Sequence, residues 1–134
     1  MAGALTGMVP DDYHPFCGRL TGRMRFQGSW SVRLASEGFH ISHIHPQGWL
    51  SSACYIDLPP EMGGEGDAGA LAFGVPDAAL KLDLTPRRVV RPEPGMLVLF
   101  PSYLWHGTLP FESETQRLTV AFDAAPLDDS GNPA

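Results

Sequence analysis

The stretch Phe39-His40-Ile41-Ser42-His43-Ile44-His45-Pro46 holds three of the five histidines of this 134-residue chain. Successive side chains of a β-strand point to opposite faces, so a strand here would present His43 and His45 on one face and His40 on the other. Two imidazoles on one face can bind a single metal ion. The same spacing also fits two exposed histidines, or two histidines satisfied within a core, so the choice depends on the rest of the chain.

Patterns of apolar residues predict about eight short β-strands. Residues 28–34 and 116–123 alternate apolar and polar side chains, and 96–100 is a continuous apolar run typical of a strand buried on both faces. Further strands are predicted at 39–45, 51–57, 70–74 and 87–91, with a short segment at 103–107. The 15 glycines and 13 prolines favour turns over long helices. The sequence therefore predicts an all-β fold with few or no helices, a cupin-like jelly roll or double-stranded β-helix.

The chain is long enough for one domain with a core and too short for two ordinary ones. Residues 1–24 show no sustained pattern and are predicted to be an irregular N-terminal lead-in, followed by the β domain at 25–124. Residues 125–134 are rich in Asp, Pro, Gly and Ser and are predicted to be a disordered tail. The segment Pro59–Gly69 is predicted to be a long flexible loop that contacts substrate or closes over a site.

Charge and hydropathy exclude several classes of partner. The net charge of −6 argues against nucleic acid, because neutralising phosphates needs a basic surface. No apolar run approaches the roughly 20 residues that cross a bilayer. The N-terminus also lacks a positively charged start followed by an apolar stretch, the mark of a secretory signal. We therefore expect a cytoplasmic protein with no membrane partner, in which Cys17 and Cys54 are reduced thiols.

Two features further along the chain change the interpretation of the histidine stretch. His106 follows the apolar run 96–100, and Arg117-Leu118-Thr119 comes eleven residues after it. With these features the chain resembles the 2-oxoglutarate/Fe(II)-dependent oxygenases, in particular the small oxygenase domains of the prolyl-hydroxylase-like branch. The resemblance extends from Met24 to Asp123, about three quarters of the chain, through matching stretches at 43–51, 53–56, 94–101, 105–106 and 117–122.

The resemblance implies a site that binds Fe(II). Members of the family hold the iron with a His-x-Asp/Glu pair and a distant histidine, the 2-His-1-carboxylate triad. His43 corresponds to the first histidine and His106 to the distant one, while His45 stands where the carboxylate is expected. Three neutral imidazoles leave such a site one negative charge short. The third ligand is then His45, Asp57 on the next strand, or a water molecule.

A second part of the site would bind the cosubstrate. The guanidinium of an arginine is a planar fork that matches a carboxylate with two hydrogen bonds. Arg117 and Thr119 share one face of an alternating strand, although an arginine there could also be an exposed surface residue. The resemblance implies that these two residues bind the distal carboxylate of 2-oxoglutarate and that Tyr55 also reaches it.

The function that the resemblance implies is a dioxygenase that uses Fe(II), O2 and 2-oxoglutarate. It would release succinate and CO2 while hydroxylating a small-molecule or peptide substrate, and a homodimer is one assembly that we consider. Two alternatives are a cupin-like metal enzyme that uses three histidines without 2-oxoglutarate, and a jelly-roll binding module without catalysis. The remaining histidines and the tryptophans are expected to be structural, exposed or packing residues: His14, His40, Trp30, Trp49 and Trp105.

Overall fold

The computed structural model describes residues 5, 7–35, 40–63, 66–132 and 134 of the chain. Eight strands form two four-stranded antiparallel sheets, which confirms the predicted all-β double-stranded β-helix. The strands are β1 Met24–Leu34, β2 His40–His43, β3 Leu50–Asp57, β4 Leu71–Phe73, β5 Arg88–Val90, β6 Leu97–Pro101, β7 His106–Thr108 and β8 Arg117–Pro126. Three short 3₁₀ helices are formed by Cys17–Arg19, Pro60–Gly63 and Ala78–Leu80.

The order of the strands brings distant parts of the chain together. One sheet has the order β1-β8-β3-β6 and the other β2-β7-β4-β5. Strand β8 lies inside the first sheet, paired with β1 on one side and with β3 on the other. In the second sheet β2 pairs with β7. The histidine stretch therefore lies beside the segment that carries His106, as a shared metal site requires.

The core of the domain consists of apolar side chains from both sheets. Strand β3 contributes Ala53 and Tyr55 to a buried cluster that is completed by Leu71, Phe73 and Phe100. Burying each large apolar side chain of this kind stabilises the fold by roughly 1.5–3 kcal/mol. The ladder between β3 and β8 shifts register after Tyr55, and Asp57 beyond the shift is exposed. Among the described residues, the side chains whose ligand atoms cluster together are His43, His45 and His106, and Asp57 is not one of them.

Described residues on both sides of the predicted β domain pack on it. The rings of Phe16 and Trp49 are buried and stacked, with centroids 4.4 Å apart, and the Trp49 indole N–H donates to the Phe16 carbonyl oxygen at 3.0 Å. Where the sequence predicts a disordered tail from residue 125, the structure continues β8 through Pro126. The backbone N–H of Leu127 then donates to the carbonyl oxygen of Arg23 at 3.0 Å. The domain therefore includes residues that the sequence assigned to the lead-in and the tail.

The described part of the Pro59–Gly69 segment combines exposed residues with a few buried ones. It contains the 3₁₀ helix Pro60–Gly63, and residues 64–65 lie outside the described ones. Met62 is buried against Gly69, which has a φ of 69°. A Cβ atom at Gly69 would lie 2.0 Å from the Met62 Cε, so only glycine fits beneath this side chain.

Two simpler expectations concern the cysteines and the membrane. Cys17 and Cys54 are both free, in agreement with the expectation of reduced thiols. Each is half-buried. Within the described residues, the helices are all too short or too polar to cross a membrane.

Candidate metal centre

His43, His45 and His106 form a compact cluster. His43 ends β2 and His106 begins β7, and the two residues pair across the sheet with ring centroids 4.5 Å apart. The Nε2 atoms of His43 and His45 are 3.1 Å apart, and one nitrogen from each of the three rings lies within 4.8 Å of the others. Two adjacent ligands of one octahedral ion are also about 3 Å apart when each bond is about 2.1 Å. The structure thus brings together the three histidines that the sequence suggested, at the spacing of a metal site.

A β-bulge in β2 orients the first histidine. His40 pairs with Thr108 and His43 with His106, so β2 has one more residue than β7 between the two pairs. Gly107 accommodates the bulge, because a Cβ atom there would lie 2.7 Å from the His40 carbonyl oxygen. The extra residue turns His40 toward the same cavity as His43, with ring centroids 6.3 Å apart. The expectation that His40 points away from the metal face is therefore wrong.

His45 lies beyond the end of β2, in the connection to β3. Its backbone N–H donates to the Ser102 carbonyl oxygen at 2.9 Å, and its own carbonyl oxygen accepts from Gly48 N–H at 3.0 Å. A Cβ atom on Gly48 would lie 2.5 Å from the Ser102 Oγ, so this turn needs a glycine to approach Ser102. His45 thus reaches the cluster because a turn holds it there, and not because of strand alternation with His43.

The hydrogen bonds of the three rings leave one lone pair of each directed at the cluster. The Nδ1 atoms of His43 and His106 lie 2.8 and 2.9 Å from the carbonyl oxygens of Ile41 and Leu104. The Nδ1 atom of His45 lies 2.7 Å from a carboxylate oxygen of Asp123. Carbonyl and carboxylate oxygens only accept, so each Nδ1 carries the proton and each Nε2 keeps its lone pair. Lone pairs that converge in this way are the donor set of a divalent transition metal.

The protonation state of His106 also suits a metal ligand. Burial lowers the pKa of His106 to about 4, although the hydrogen bond to the Leu104 carbonyl oxygen opposes the shift. At neutral pH the ring is therefore uncharged. A metal must displace any proton from its ligand, so a ring that is already neutral binds without that cost.

Arg117 is a buried cation, and it lines the same cavity as the three clustered histidines. Only 4% of the residue is exposed. Its Nε donates to the Thr119 hydroxyl at 3.1 Å and one Nη to the Thr108 hydroxyl at 3.0 Å. Among the described residues its only hydrogen-bond partners are neutral, and the ion pairs there join other side chains. Burial lowers the pKa of Arg117, which is the expected response of a cation that has lost water without gaining an anion.

Tyr55 adds an unpaired donor beside this arginine. Its side chain is fully buried, and its hydroxyl has no hydrogen-bond partner within the described part of the chain. The Cζ atom of Arg117 lies 5.1 Å from the centre of the tyrosine ring. Burial raises the pKa of Tyr55, while the nearby guanidinium opposes that rise. A buried guanidinium that has no anionic partner among the described residues is suited to bind an anion with several oxygen atoms.

One cavity of about 490 Å³ contains the histidine cluster and Arg117, whereas Tyr55 lies behind Arg117 and is not among the described residues of the cavity wall. Its walls include the three clustered histidines, Arg117 and Thr119. Trp30 and Ile41 also line it, and their exposed fractions of 40% and 63% place them at its opening. Trp30 therefore borders the site, whereas the sequence suggested a packing residue. The described residues of the Pro59–Gly69 segment do not line the cavity. That this segment contacts substrate stays a prediction.

Sequence reasoning missed Asp123 and its partner Ser51. Both carboxylate oxygens of Asp123 lie within 2.8 Å of the His45 Nδ1, and the Ser51 hydroxyl donates to one of them at 2.7 Å. A signal was present, because the alternation of 116–123 places Asp123 on the same face as Arg117 and Thr119. The missing information was that this face meets the turn at His45, which is 78 residues away along the chain.

Comparisons with known proteins agree with this geometry. Residues 28–123 match the sequence profile of a family described as "Putative 2OG-Fe(II) oxygenase". This segment begins within β1 and ends at Asp123, so it includes all three clustered histidines, Tyr55, Arg117 and Thr119. No protein of curated function shows a significant sequence match to the chain.

Solved structures share the fold at low sequence identity. A 2OG-Fe(II) oxygenase-family oxidoreductase from Burkholderia pseudomallei has a TM-score of 0.56 and 13% identity, over 76% of this chain and 45% of that one. Apo HygX from Streptomyces hygroscopicus has a TM-score of 0.53 and 15% identity, over 78% and 59%. HygX with nickel, 2-oxoglutarate and hygromycin B bound has a TM-score of 0.54 and 15% identity, over 78% and 57%. This chain thus spans about half the length of the structures that it resembles.

Proposed function

Because the chain belongs to the 2OG-Fe(II) oxygenase family, we propose that it is an Fe(II)- and 2-oxoglutarate-dependent dioxygenase that hydroxylates an organic substrate and releases succinate and CO2. One observation carries the proposal: a single cavity contains three imidazoles with converging lone pairs and a buried arginine without an anion. When bound, Fe(II) would supply the redox chemistry with O2, and 2-oxoglutarate would supply two of the electrons that reduce it.

The three imidazoles would hold the metal. Imidazole nitrogen is a suitable ligand for iron, and the rings of His43, His45 and His106 present neutral Nε2 atoms to one point. Three protein ligands leave three positions of an octahedral ion open. These suffice for a chelating 2-oxo acid and O2. The protein's contribution is to fix the three rings through their Nδ1 hydrogen bonds before the metal arrives.

Arg117 would bind the distal carboxylate of 2-oxoglutarate. Its two threonine partners fix the guanidinium, and Tyr55 offers a further donor beside it. Thr108 and His106 lie on the same face of β7, two residues or about 7 Å apart along the strand. A dicarboxylate of five carbons can bridge a distance of this order, so the anion receptor and the metal ligands suit the two ends of one molecule.

The walls of the cavity would keep water from the reacting groups. Val32, Leu34 and Ala121 add apolar surface to the cavity wall, and Val32 and Leu34 pair with Thr119 and Arg117 across β1 and β8. A dry site strengthens the attraction between the guanidinium and a carboxylate. We propose that the substrate, a small molecule or a peptide, approaches past Trp30 and Ile41, because these are exposed apolar side chains on the cavity wall.

One observation favours a second candidate, a cupin-like metal enzyme that does not use 2-oxoglutarate. Within the described part of the chain, the cluster of possible metal ligands consists of three histidines and includes no carboxylate. That candidate gives no role to the unmatched guanidinium of Arg117 or to the hydroxyl of Tyr55. A test of 2-oxoglutarate binding therefore separates the two candidates.

The test compares binding and turnover in Arg117→Met and in the control Arg88→Met, which changes an exposed arginine of β5. We expect the Ni(II)-loaded wild type and R88M to be stabilised by 2-oxoglutarate in thermal unfolding, and to form succinate with Fe(II) and O2. R117M should still bind Ni(II) but lose both effects. Stabilisation of wild type by Ni(II) but not by 2-oxoglutarate would support the cupin-like candidate. Failure to bind any divalent metal would leave only a binding module.

A further inference from the structure

The carboxylate of Asp123 lies close to the cluster of His43, His45 and His106, but it is not one of the groups that form the cluster. Its side chain is only 15% exposed, and its oxygens lie 2.7 and 2.8 Å from the His45 Nδ1. Among the described residues, His45 is its only partner that can carry a positive charge. A carboxylate removed from water normally gains an ion pair or several hydrogen bonds, because burial of an unpaired charge is costly. The His45 ring is therefore the group through which the Asp123 carboxylate meets the histidine cluster.

A pair of buried serines fixes this carboxylate. Ser51 donates to one oxygen of Asp123 at 2.7 Å, and the hydroxyls of Ser51 and Ser102 are 2.8 Å apart. Both serines are at most 1% exposed. The carbonyl oxygen of Ser102 also accepts from the backbone N–H of His45. The same network thus holds both the backbone and the ring of His45.

On the basis of the proposed function, we infer that Asp123 is a positioning residue that supplies, through His45, the negative charge that a three-imidazole iron site lacks. A carboxylate that accepts from Nδ1–H increases the electron density on the opposite nitrogen, which makes the imidazole a stronger ligand. It also places one negative charge on the far side of the ring from the metal. His45 and Asp123 together would then do what a single carboxylate ligand does in a 2-His-1-carboxylate site.

The geometry also distinguishes this role from direct coordination. The Nε2 of His45, and not its Nδ1, lies beside the Nε2 of His43. The carboxylate is bonded to the opposite nitrogen and to Ser51. Asp123 would therefore act on the metal only when His45 is present.

The inference predicts effects of opposite sign on the two ligands of the site. A negative charge near the metal strengthens the binding of a divalent cation and weakens the binding of dianionic 2-oxoglutarate. In Asp123→Asn, which keeps the size and the acceptor oxygen, we expect metal affinity to fall 10- to 100-fold. Metal-saturated D123N should bind 2-oxoglutarate severalfold more tightly than the wild type. If Asp123 only stabilised the fold, its replacement would lower the affinities for both the metal and 2-oxoglutarate.

The experiment measures Ni(II) dissociation constants by calorimetry at one pH, and then 2-oxoglutarate affinity at saturating Ni(II). Asp57→Asn is the matched control, because it removes one negative charge from an exposed position on β3 and should change neither affinity. Circular dichroism and urea unfolding of the apo proteins establish that D123N is folded. If D123N does not fold, Ser51→Ala is used in its place. We expect S51A to lower Ni(II) affinity severalfold, because it removes the hydroxyl that donates to the Asp123 carboxylate.

A double-mutant cycle tests whether the effect passes through His45. We expect D123N to cost no further Ni(II) affinity when it is added to His45→Ala, because the carboxylate then has no ligand to act on. The inference is overturned if D123N lowers Ni(II) affinity equally in the wild type and in His45→Ala. It is also overturned if D123N binds Ni(II) as tightly as the wild type, or if D123N lowers the affinities for Ni(II) and for 2-oxoglutarate together. If the wild type binds Ni(II) but not 2-oxoglutarate, the proposed function is refuted. The double-mutant cycle then still tests the role of Asp123, because it measures only Ni(II) affinity. Wild type that binds no Ni(II) would refute both.

Discussion

Arg117 and Tyr55 are the side chains whose surroundings most require a ligand. The guanidinium has two threonine hydroxyls as partners, and the tyrosine hydroxyl has none among the described residues. A buried donor without an acceptor costs about 1–3 kcal/mol. An anion with several oxygen atoms that bound beside these two side chains would remove this cost. At the scale of the residue, unsatisfied donors are thus the clearest mark of the site.

We expect Tyr55→Phe to separate stability from binding. Removing the unsatisfied hydroxyl should raise the free energy of unfolding of the apo protein by about 1 kcal/mol, measured by urea denaturation. The same change should weaken 2-oxoglutarate binding to the Ni(II)-loaded protein severalfold, because one donor to the carboxylate is lost. Tyr103→Phe, at a position that is 43% exposed, serves as the control and should alter neither quantity. Unchanged 2-oxoglutarate affinity in Y55F would contradict the assignment of Tyr55.

The pKa of His106 leads to an expectation about pH. Burial lowers this pKa from 6.5 to about 4, so the unfolded chain binds a proton in this range before the folded protein does. Stability therefore falls as the pH falls from about 6.5 toward 4, and is recovered above about 6.5. Burial, followed by the charge of Arg117, also lowers the pKa of His40, which adds to the same slope.

Urea unfolding of the metal-free protein across this pH range measures the slope. In His106→Gln we expect a shallower dependence that is not abolished, because His40 still contributes. An equal slope in wild type and H106Q would mean that His106 is not held neutral by the fold.

The cluster of His43, His45 and His106 depends on the bulge in β2. The bulge turns His40 and His43 toward one cavity, and Gly107 on the facing strand leaves room for it. The regular alternation of a strand, which was the basis of the sequence interpretation, does not include such an extra residue. The sequence therefore grouped His43 with His45, as the structure does, but directed His40 to the opposite face.

We expect Gly107→Ala to damage the cluster through the backbone. Its Cβ would lie 2.7 Å from the His40 carbonyl oxygen and 3.2 Å from the Ser42 Cα, so β2 must move away from β7. Overpacking of this kind costs about 1–3 kcal/mol. Calorimetry should show at least a tenfold loss of Ni(II) affinity, since His43 and His106 lie on the two strands that separate.

Gly28→Ala provides the control for this change within a strand. Its Cβ would lie 3.6 Å from the nearest atom, in the Trp30 ring, which is an ordinary contact. We expect Ni(II) affinity within a factor of two of wild type. Normal affinity in G107A would show that the bulge does not position the cluster.

At the scale of the whole molecule, the two sheets divide their shared interior between a core and a cavity. Tyr55, Phe73 and Phe100 fill the core, and Phe100 also borders the cavity beside His106, with ring centroids 4.6 Å apart. The buried core thus packs directly against the histidine cluster, through the contact between Phe100 and His106. The packing of Phe16 on Trp49 covers a second apolar cluster and includes the N-terminal segment in the domain.

Periodicity was sufficient to predict the strands, and it was insufficient to predict how they meet. The alternating face of β8 indicated that Arg117, Thr119 and Asp123 point the same way. Which distant residue each would meet depends on sheet order and on a turn, and local patterns do not encode either. Trp30 illustrates the same limit, because its strand was predicted while its place at the opening of the cavity was not.

The central claim is that one cavity binds Fe(II) through three imidazoles and 2-oxoglutarate through Arg117. The most direct test is an anaerobic titration of the Fe(II)-loaded protein with 2-oxoglutarate, followed by visible absorbance. We expect a saturable charge-transfer band in the wild type and in His14→Ala, an exposed histidine outside the cavity. The band should be absent in His106→Ala and should not saturate in R117M over the same concentrations. The absence of a band in the wild type, or an undiminished band in H106A, would contradict the claim.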